Sequence, residues 1–266
     1  MPKFAANLSM LFTELPFKSR FTAARMAGFD AVEYLFPYDY PAEELQAELD
    51  LQGLRQVLFN APPGDWEAGE RGLAALPGRE AQFESSISAA IHYAEALGCK
   101  QIHVMAGVLP PMADPERAAQ TYVMNLKRAA EEALVHRLTL TVEPINHHDM
   151  PGYFLDSMEA GARTVETVGM PNVRLQFDIY HRQRMEGDVV KGLRDMMPII
   201  GHIQIANTPG RGDPDHGELN YDYIFQAIDE LAYEGWIGCE YKPINGTKDS
   251  LEWLRRRRKL KKMADA

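Results

Sequence analysis

Four oxygen-bearing side chains recur along the second half of the chain, each at or near the end of a strand-like run. They are Glu143 in LTLTVEP, Asp178 in VRLQFD, Gln204 in HIQIA and Glu240 in WIGCEYKP. Successive side chains on a strand point to opposite faces, so each of these residues lies opposite the apolar residues of its own run. A polar face repeated on strand after strand indicates a metal site at one mouth of a barrel.

Three carboxylates and one amide form an oxygen-rich set of ligands. Such a set favours Mg²⁺ or Mn²⁺ over zinc, whose sites usually contain His nitrogen or Cys sulfur. The separations of 35, 26 and 36 residues fit one ligand per consecutive β/α unit. A second interpretation stays open, in which the inward-facing carboxylates only pair with Arg or Lys.

Glu143 and Glu240 belong to strands that lie almost half a ring apart, so they could approach one small substrate from opposite sides. Such a pair can move a proton, because one carboxylate removes it from carbon and the other returns a proton to the adjacent carbon or to an oxygen. A divalent cation would polarise the carbonyl and the neighbouring hydroxyl and so favour an enediolate. The alternative is that both acids are purely structural.

Four further side chains are candidates for substrate binding. His181 follows the sixth predicted strand by three residues, and a surface histidine is the alternative. His103 lies on the inner face of its strand, where a hydrogen-bonded core histidine is the competing interpretation. Arg211 and Lys242 follow the seventh and eighth strands, and two cations near one mouth indicate an anionic substrate, although either alone could be a surface residue.

The elements that position these residues alternate between strand-like and helix-like patterns. Strands are predicted at 4–8, 31–34, 56–60, 101–105, 138–143, 173–178, 202–206 and 236–241. Eight β/α units predict an α/β fold of the (β/α)8 TIM barrel type. A doubly wound open sheet is the competing fold, but the chain lacks its Gly-rich nucleotide fingerprint. We expect residues 1–266 to form a single domain, with a basic C-terminal helix from about 247.

The alternation of side chains places one polar residue of every strand on the inner face. These residues are Asn7, Glu33, Asn60, His103, Glu143, Asp178, Gln204 and Glu240. They stand near the C-terminal ends of the strands, where such barrels hold their active sites. The Gly- and Pro-rich loop at 61–77 is long enough to be a lid over this mouth, and a disordered surface loop is the alternative.

The distribution of charge limits the class of partner. The net charge is −10, and seven of the 28 basic residues lie within the segment 255–262, which leaves 21 against 38 acidic residues elsewhere. Such an acidic body repels nucleic acid. The basic segment is predicted to be a solvated helix end whose cations oppose the helix dipole, with a nucleic-acid or membrane patch as the alternative. The start lacks signal-peptide features and no apolar run approaches a membrane span, so we expect a cytoplasmic protein.

Several longer segments carry a family resemblance. AGFDAVEYLFPYDY, FNAPPGDWEAGERGLAALPGRE, TVEPIN, FDIYH, HIQIA and GWIGCEYKP resemble the hydroxypyruvate isomerase family of the xylose-isomerase-like TIM barrels, and the similarity runs from residue 3 to about 243. The resemblance implies that Glu143 and Glu240 transfer protons and that Glu143, Asp178, Gln204 and Glu240 surround a divalent metal. Related ketose 3-epimerases usually carry His where Gln204 stands, and a substrate-binding His and Arg at the positions of His181 and Arg211.

The activity that the resemblance implies is the interconversion of hydroxypyruvate and 2-hydroxy-3-oxopropanoate (tartronate semialdehyde). Isomerisation of a four-carbon 2-oxo-tetronate in sugar-acid catabolism is the alternative, and a ketose 3-epimerase is a third reading. A metal-dependent apurinic endonuclease on the same barrel would need more His ligands and a basic face. A binding-only protein would have little use for two opposed acids. We therefore expect a small carboxylated substrate and neither nucleic acid nor a membrane as partner, while assembly into a homo-oligomer stays open.

Overall fold

The computed structural model describes residues 2–264, which form a closed barrel of eight parallel strands. Each strand pairs with its neighbours in sequence, and β8 closes the ring on β1. The strands are β1 (Lys3–Asn7), β2 (Ala31–Glu33), β3 (Arg55–Asn60), β4 (Gln101–His103), β5 (Thr139–Val142), β6 (Val173–Asp178), β7 (Ile200–Ile205) and β8 (Trp236–Cys239). The predicted TIM barrel is confirmed, and every predicted strand is present with ends that differ by at most two residues.

Helices surround the barrel and connect its strands. Within residues 2–264 they are α1 (Phe17–Met26), α2 (Ala42–Gln52), α3 (Glu80–Ala96), α4 (Pro115–Val135), α5 (Met158–Val168), α6 (Ile179–Met185), α7 (Val189–Met196), α8 (Tyr221–Glu230), α9 (Thr247–Ser250) and α10 (Glu252–Ala264). Side chains cap several of their N-termini. Asp114, for example, accepts hydrogen bonds from the backbone N–H groups of Glu116 and Arg117 at the start of α4, which satisfies donors that the helix itself leaves unpaired.

The hydrophobic core lies between the outer face of the barrel and the ring of helices. Val142, Leu175, Ile203 and Ile237 have no exposed surface, which agrees with their predicted outward orientation towards the helices. Burying a side chain of this size contributes about 1.5 to 3 kcal/mol. The polar residues that alternate with these apolar ones face the barrel interior, and Ala5, Ala31 and Val57 form a separate small apolar cluster.

The basic C-terminal helix is only partly solvated, because three of its arginines contact residues outside the helix. Arg256 forms a two-pronged contact with Asp215 at 2.7 and 3.1 Å. Arg257 lies over the ring of Phe225, and Arg258 donates to the backbone carbonyl of Ala27. Arg255 and Lys259 are exposed, while residues 1, 265 and 266 and the side chains at 260–262 and 264, among them those of Lys261 and Lys262, lie outside the described part of the structure. No helix among residues 2–264 is both long and apolar enough to cross a membrane.

Candidate active site

A cavity of about 520 Å³ opens at the C-terminal mouth of the barrel. Its polar wall consists of Asn60, His103, Glu143, Asp149, His181, Arg211, Glu240 and Lys242. Its apolar wall includes Met10, Leu35, Trp66, Met105, Ile145, Met150 and Tyr180. Both predicted proton-transfer acids and all four predicted substrate-binding residues thus meet at one cavity, whereas Asp178 and Gln204 are buried and are not among the lining residues.

Three acids reach this site from the ends of β5, β6 and β8. Glu143 directly follows β5, Asp178 is the last residue of β6 and Glu240 directly follows β8. All three are at most 5% exposed. One guanidinium nitrogen of Arg211, Nη2, lies 2.8 Å from Glu240 Oε2 and 3.3 Å from Asp178 Oδ2. The pairing with a cation that the sequence left open therefore exists for two of the acids, but not for Glu143.

Burial makes ionisation of all three acids unfavourable. The pKa of Glu143 lies well above its ordinary value, because burial and then the charges of Glu240 and Asp178 disfavour its carboxylate form. Burial raises the pKa of Glu240 to about 8, although Arg211 opposes the shift. The pKa of Asp178 is also raised by burial, against the opposing effects of Arg211 and of backbone hydrogen bonds. Titrating carboxyls of this kind are able to exchange protons near neutral pH.

Asp178 has two separate contacts, one for each carboxyl oxygen. Its Oδ1 accepts a hydrogen bond of 2.7 Å from the backbone N–H of Tyr180 and so caps α6. Its Oδ2 is the atom that faces Arg211 and the Nε2 atom of His181. The sequence FDIYH therefore fixes one oxygen by local helix capping and presents the other to the site.

His181 presents an N–H group to the acids. Its Nδ1 accepts hydrogen bonds from Asn146, whose backbone N–H lies at 3.3 Å and whose side-chain nitrogen lies at 2.7 Å. A backbone N–H can only donate, so Nδ1 carries no proton and the neutral ring carries it on Nε2. Burial, with the charge of Arg211, holds the pKa of His181 well below its ordinary value. A neutral Nε2–H donor suits a substrate oxygen better than it suits a metal ion.

His103 lies beside Glu143 and is also neutral. Burial, with the neighbouring His202, lowers its pKa to about 3. Its Nδ1 is 3.2 Å from Asn60 Oδ1, while its Nε2 is 3.7 Å from Glu143 Oε2 and has no hydrogen-bond partner among the described residues. A buried polar atom without a partner on a cavity wall is a candidate contact for a substrate hydroxyl.

The donor set fits a divalent cation. If all three acids are ionised, they carry three negative charges against the one positive charge of Arg211, and a divalent cation would balance the remainder. Glu143 Oε1 is buried and has no hydrogen-bond partner among residues 2–264. Ligand atoms of Glu143, Asp178 and His181 lie within 4.8 Å of one another, so this buried group could hold a metal ion. The two carboxylates are the better ligands of the three, because His181 Nε2 carries a proton.

Gln204 lies at the floor of the site inside a set of hydrogen bonds that the sequence analysis did not identify. Its amide nitrogen donates to Glu33, and its amide oxygen accepts from Gln176. Gln176 and His202 share the inner face with residues already singled out, because each precedes Asp178 or Gln204 by two positions. The same alternation of side chains that placed the eight polar residues on the inner face also predicts that Gln176 and His202 face inward.

The loop at 61–77 contributes Trp66 to the wall of the cavity. Gly72 pairs with Ala106 across the loop that follows β4. A Cβ at Gly72 would lie 2.3 Å from the carbonyl oxygen of Met105, and its φ of 115° also favours glycine. Trp66, which lines the cavity, packs against Phe36 with ring centroids 5.0 Å apart. The loop that the sequence predicts as a lid over the mouth is thus held in place by hydrogen bonds.

The chain is similar to proteins of known sequence, two of which carry the names of isomerases. Residues 21–257 match the family model described as xylose isomerase-like TIM barrel. A 2-oxo-tetronate isomerase from Cupriavidus necator is 54% identical, with 96% of this chain and 98% of the relative covered. The hydroxypyruvate isomerase of Escherichia coli is 46% identical, with 96% and 98% covered. A crystal structure from Brucella melitensis titled AP endonuclease, family 2 is 45% identical, covers 96% of this chain and 99% of its own, and superimposes with a TM-score of 0.94.

Proposed function

Because the chain belongs to the xylose isomerase-like TIM barrel family, within its hydroxypyruvate isomerase group, we propose that its cavity isomerises short 2-oxo acids by proton transfer. The protein is an isomerase. The observation that carries the proposed mechanism is the cluster of buried acids with raised pKa values around Arg211 at the cavity. This cluster combines groups that move protons with a cation that can meet an acidic substrate.

The reaction moves a carbonyl group by one carbon. In the substrate C2 carries the carbonyl and C3 a hydroxyl, and in the product the two are exchanged. A proton leaves C3, an enediolate forms across C2 and C3, and a proton is added at C2 while the oxygens exchange theirs. Each step needs a group that accepts or donates a proton within reach of adjacent carbons, which is the role of a pair of carboxyls.

We assign this role to Glu143 and Glu240. Both line the cavity, and they stand on β5 and β8 with two strands between them. Their raised pKa values allow either to hold a proton near neutral pH. Of the two, only Glu240 is hydrogen-bonded to Arg211, so the two carboxyls have different surroundings. The direction of transfer follows from which of them is ionised when the substrate is bound.

The substrate contacts are assigned from donors and charges on the cavity wall. Arg211 and Lys242 are the basic residues of that wall and are assigned to the substrate carboxylate. His181 donates through Nε2 to a substrate oxygen, and His103 accepts from a hydroxyl through its unpaired Nε2. These roles use each histidine in the tautomer that its buried neighbours impose.

Glu143, Asp178, Gln204 and Glu240 would hold a Mg²⁺ or Mn²⁺ ion, for which the oxygen atoms of three acids and one amide are suitable ligands. When bound, the ion would polarise the carbonyl and stabilise negative charge on the neighbouring oxygens. The buried excess of negative charge and the unpaired Oε1 of Glu143 support this assignment.

Hydroxypyruvate and 2-oxo-tetronate undergo the same exchange and differ by one hydroxymethyl group on C3. The four-carbon acid is the stronger candidate, because a cavity of about 520 Å³ has room for the extra group and the more similar of the two named relatives acts on it. Hydroxypyruvate is the second candidate and is supported by the Escherichia coli relative. An endonuclease function is disfavoured, because Arg211 and Lys242 are the only basic residues among those that line the cavity and the chain carries a net charge of −10.

A substrate panel tests the proposal. Purified protein with Mn²⁺ or Mg²⁺ is assayed on hydroxypyruvate and 2-oxo-tetronate, and on dihydroxyacetone and erythrulose as neutral ketoses of the same lengths. We expect turnover of the acids in preference to the neutral pair, with a higher kcat/KM for the four-carbon acid. Exchange in D₂O should add deuterium at the carbon that receives the proton. Preference for the neutral ketoses, or turnover without any solvent deuterium under all conditions, would contradict the proposal.

A further inference from the structure

A second layer of polar side chains lies inside the barrel around Gln204, and the proposed reaction gives its other members no direct role. Its centre is Glu33 on β2, whose carboxylate has no exposed surface. Asn7 Nδ2 donates to it at 3.0 Å, Gln204 Nε2 donates at 2.8 Å, and His202 Nε2 lies at 2.7 Å. Gly238 on β8 makes this packing possible, since a Cβ there would lie 2.2 to 2.4 Å from the carboxyl atoms of Glu33.

The direction of these hydrogen bonds is fixed at one end by the backbone. The N–H of Ser9 donates to Asn7 Oδ1 at 3.0 Å, so Asn7 must turn its amino group to Glu33 Oε1. The same oxygen accepts from Gln204 Nε2. Reversing the amide of Gln204 would place its oxygen against an oxygen that already acts as an acceptor, which leaves two acceptors facing each other in a buried site.

The orientation of the Gln204 amide in turn sets the direction of the hydrogen bonds that lie nearer to the acids of the active site. Because Gln204 turns its nitrogen to Glu33, its Oε1 faces the other way and accepts from Gln176 Nε2 at 2.7 Å. Gln176 Oε1 then accepts from Thr141 Oγ1 at 2.8 Å. A hydroxyl can donate or accept, so Thr141 imposes no direction of its own. The series of hydrogen bonds therefore runs from Glu33 through Gln204 to Gln176 and Thr141, and Thr141 stands on β5, the strand that Glu143 directly follows.

We propose that Glu33 is a positioning residue that fixes which end of the Gln204 amide can act as a metal ligand. Mg²⁺ and Mn²⁺ bind amide oxygen rather than amide nitrogen. With Glu33 in place, the nitrogen of Gln204 is held at Glu33 and the oxygen lies on the side of Gln176 and Glu143. This inference rests on the proposed ligand role of Gln204, and it assigns to Glu33 an effect on a metal ion that it does not touch.

The test measures the affinity of the full-length protein for Mn²⁺ by the loss of the free-ion signal in electron paramagnetic resonance, without any substrate. Glu33→Met keeps the length of the side chain but offers no acceptor, so nothing holds the amide nitrogen of Gln204 and the amide is free to reverse. Partners that orient a metal ligand typically contribute 10- to 100-fold to affinity, so we expect a loss of about that size. Gln204→Ala gives the reference value for a site without this ligand.

His202→Phe is the matched control. It removes a hydrogen bond from the same buried carboxylate but leaves the bond between Glu33 and Gln204, so it should lower the melting temperature and leave Mn²⁺ affinity unchanged. A double variant, Glu33→Met with Gln204→Glu, supplies the second test if Glu33→Met alone does not fold. The carboxylate at 204 has an oxygen at both ends and needs no orientation, so the double variant should bind Mn²⁺ at least as tightly as the unaltered protein.

The outcomes separate this inference from the proposed function. Weak binding by Glu33→Met, normal binding by His202→Phe and recovery in the double variant together support it. Normal binding by Glu33→Met, equal losses in Glu33→Met and His202→Phe, or no recovery in the double variant overturns it. Unchanged binding by Gln204→Ala overturns it as well, while turnover of 2-oxo acids by the unaltered protein would still uphold the proposed function. Failure of that turnover with the expected pattern of Mn²⁺ binding would sink the function alone.

Discussion

Metal binding at this site should release protons, and the number released should depend on pH. The proposed ligands must be ionised to bind a cation, yet burial raises the pKa of Glu143, Asp178 and Glu240 above their ordinary values. Below those pKa values the acids hold protons that a cation has to displace. The experiment is therefore a titration of the protein with Mn²⁺ at a series of pH values, after a chelator has removed any bound metal.

The size of the effect follows from Glu240, the acid whose pKa has a defined value. With a pKa of about 8, Glu240 is about nine-tenths protonated at pH 7, so binding should release close to one proton from this residue alone. Glu143, whose pKa is also far above its ordinary value, adds to that number. Each released proton makes the affinity rise about tenfold per pH unit, or about 1.4 kcal/mol. The affinity should therefore rise steeply from pH 6 to pH 8 and then level off.

Isothermal titration calorimetry measures this release directly. The observed heat is recorded at one pH in buffers with different enthalpies of ionisation, such as PIPES and Tris, and the slope gives the number of protons. We expect between one and two at pH 7 and fewer at pH 9. A variant that lacks a titrating ligand, Glu240→Gln, should release about one proton fewer. A slope of zero at pH 7, or affinity independent of pH between 6 and 8, would refute the reasoning.

Three further outcomes follow from the geometry of the site. Glu143→Gln and Glu240→Gln should each lower kcat about 10²- to 10⁴-fold while substrate still binds, and the double variant should be little worse. Measurement of kcat and KM for all three variants checks this. Asp178→Asn should weaken Mn²⁺ binding yet preserve the melting temperature, because an asparagine can still cap α6, and a large loss of stability would contradict this. Arg211→Ala should weaken binding of the acid substrates by about 1.5 to 3 kcal/mol relative to neutral ketoses, whereas equal losses on both would exclude a contact with the substrate carboxylate.

The alternation of side chains on strands made much of this site accessible from sequence. Eight polar residues were placed on one face from the apolar pattern alone, and in the structure all eight are buried inside the barrel or at its mouth. The rule works because a residue in a strand has only two directions to point in, and burial of the apolar face selects one of them. Asp178 shows the strength of this constraint, since it is the last residue both of β6 and of the predicted strand.

The hydrogen bonds among the inner residues could not be derived in the same way. Glu33 meets His202 and Gln204 across the interior, although these residues are 169 and 171 positions apart in sequence. Which inner residues share a layer depends on the tilt and stagger of the strands, and the pairing of β2 with β3 even shifts register between Val32 and Glu33. Side-chain alternation specifies the face of each residue but not its height in the barrel, so the layer beneath the cavity appears only in three dimensions.

Arg211 shows that the contacts of a loop residue are harder to predict from sequence than those of a strand residue. The sequence placed it near the mouth, because it follows β7 by a few residues, but its contacts depend on the path of the loop. Asn207 and Gly212 pair their backbones and close that loop, and the carbonyl of Arg211 accepts from the N–H of Lys242 at 2.8 Å. These backbone bonds turn the guanidinium inward to Asp178 and Glu240, while Lys242 stays exposed. Two cations that looked equivalent in sequence therefore have different surroundings, and only Arg211 can couple the charge of a bound substrate to the acids of the site.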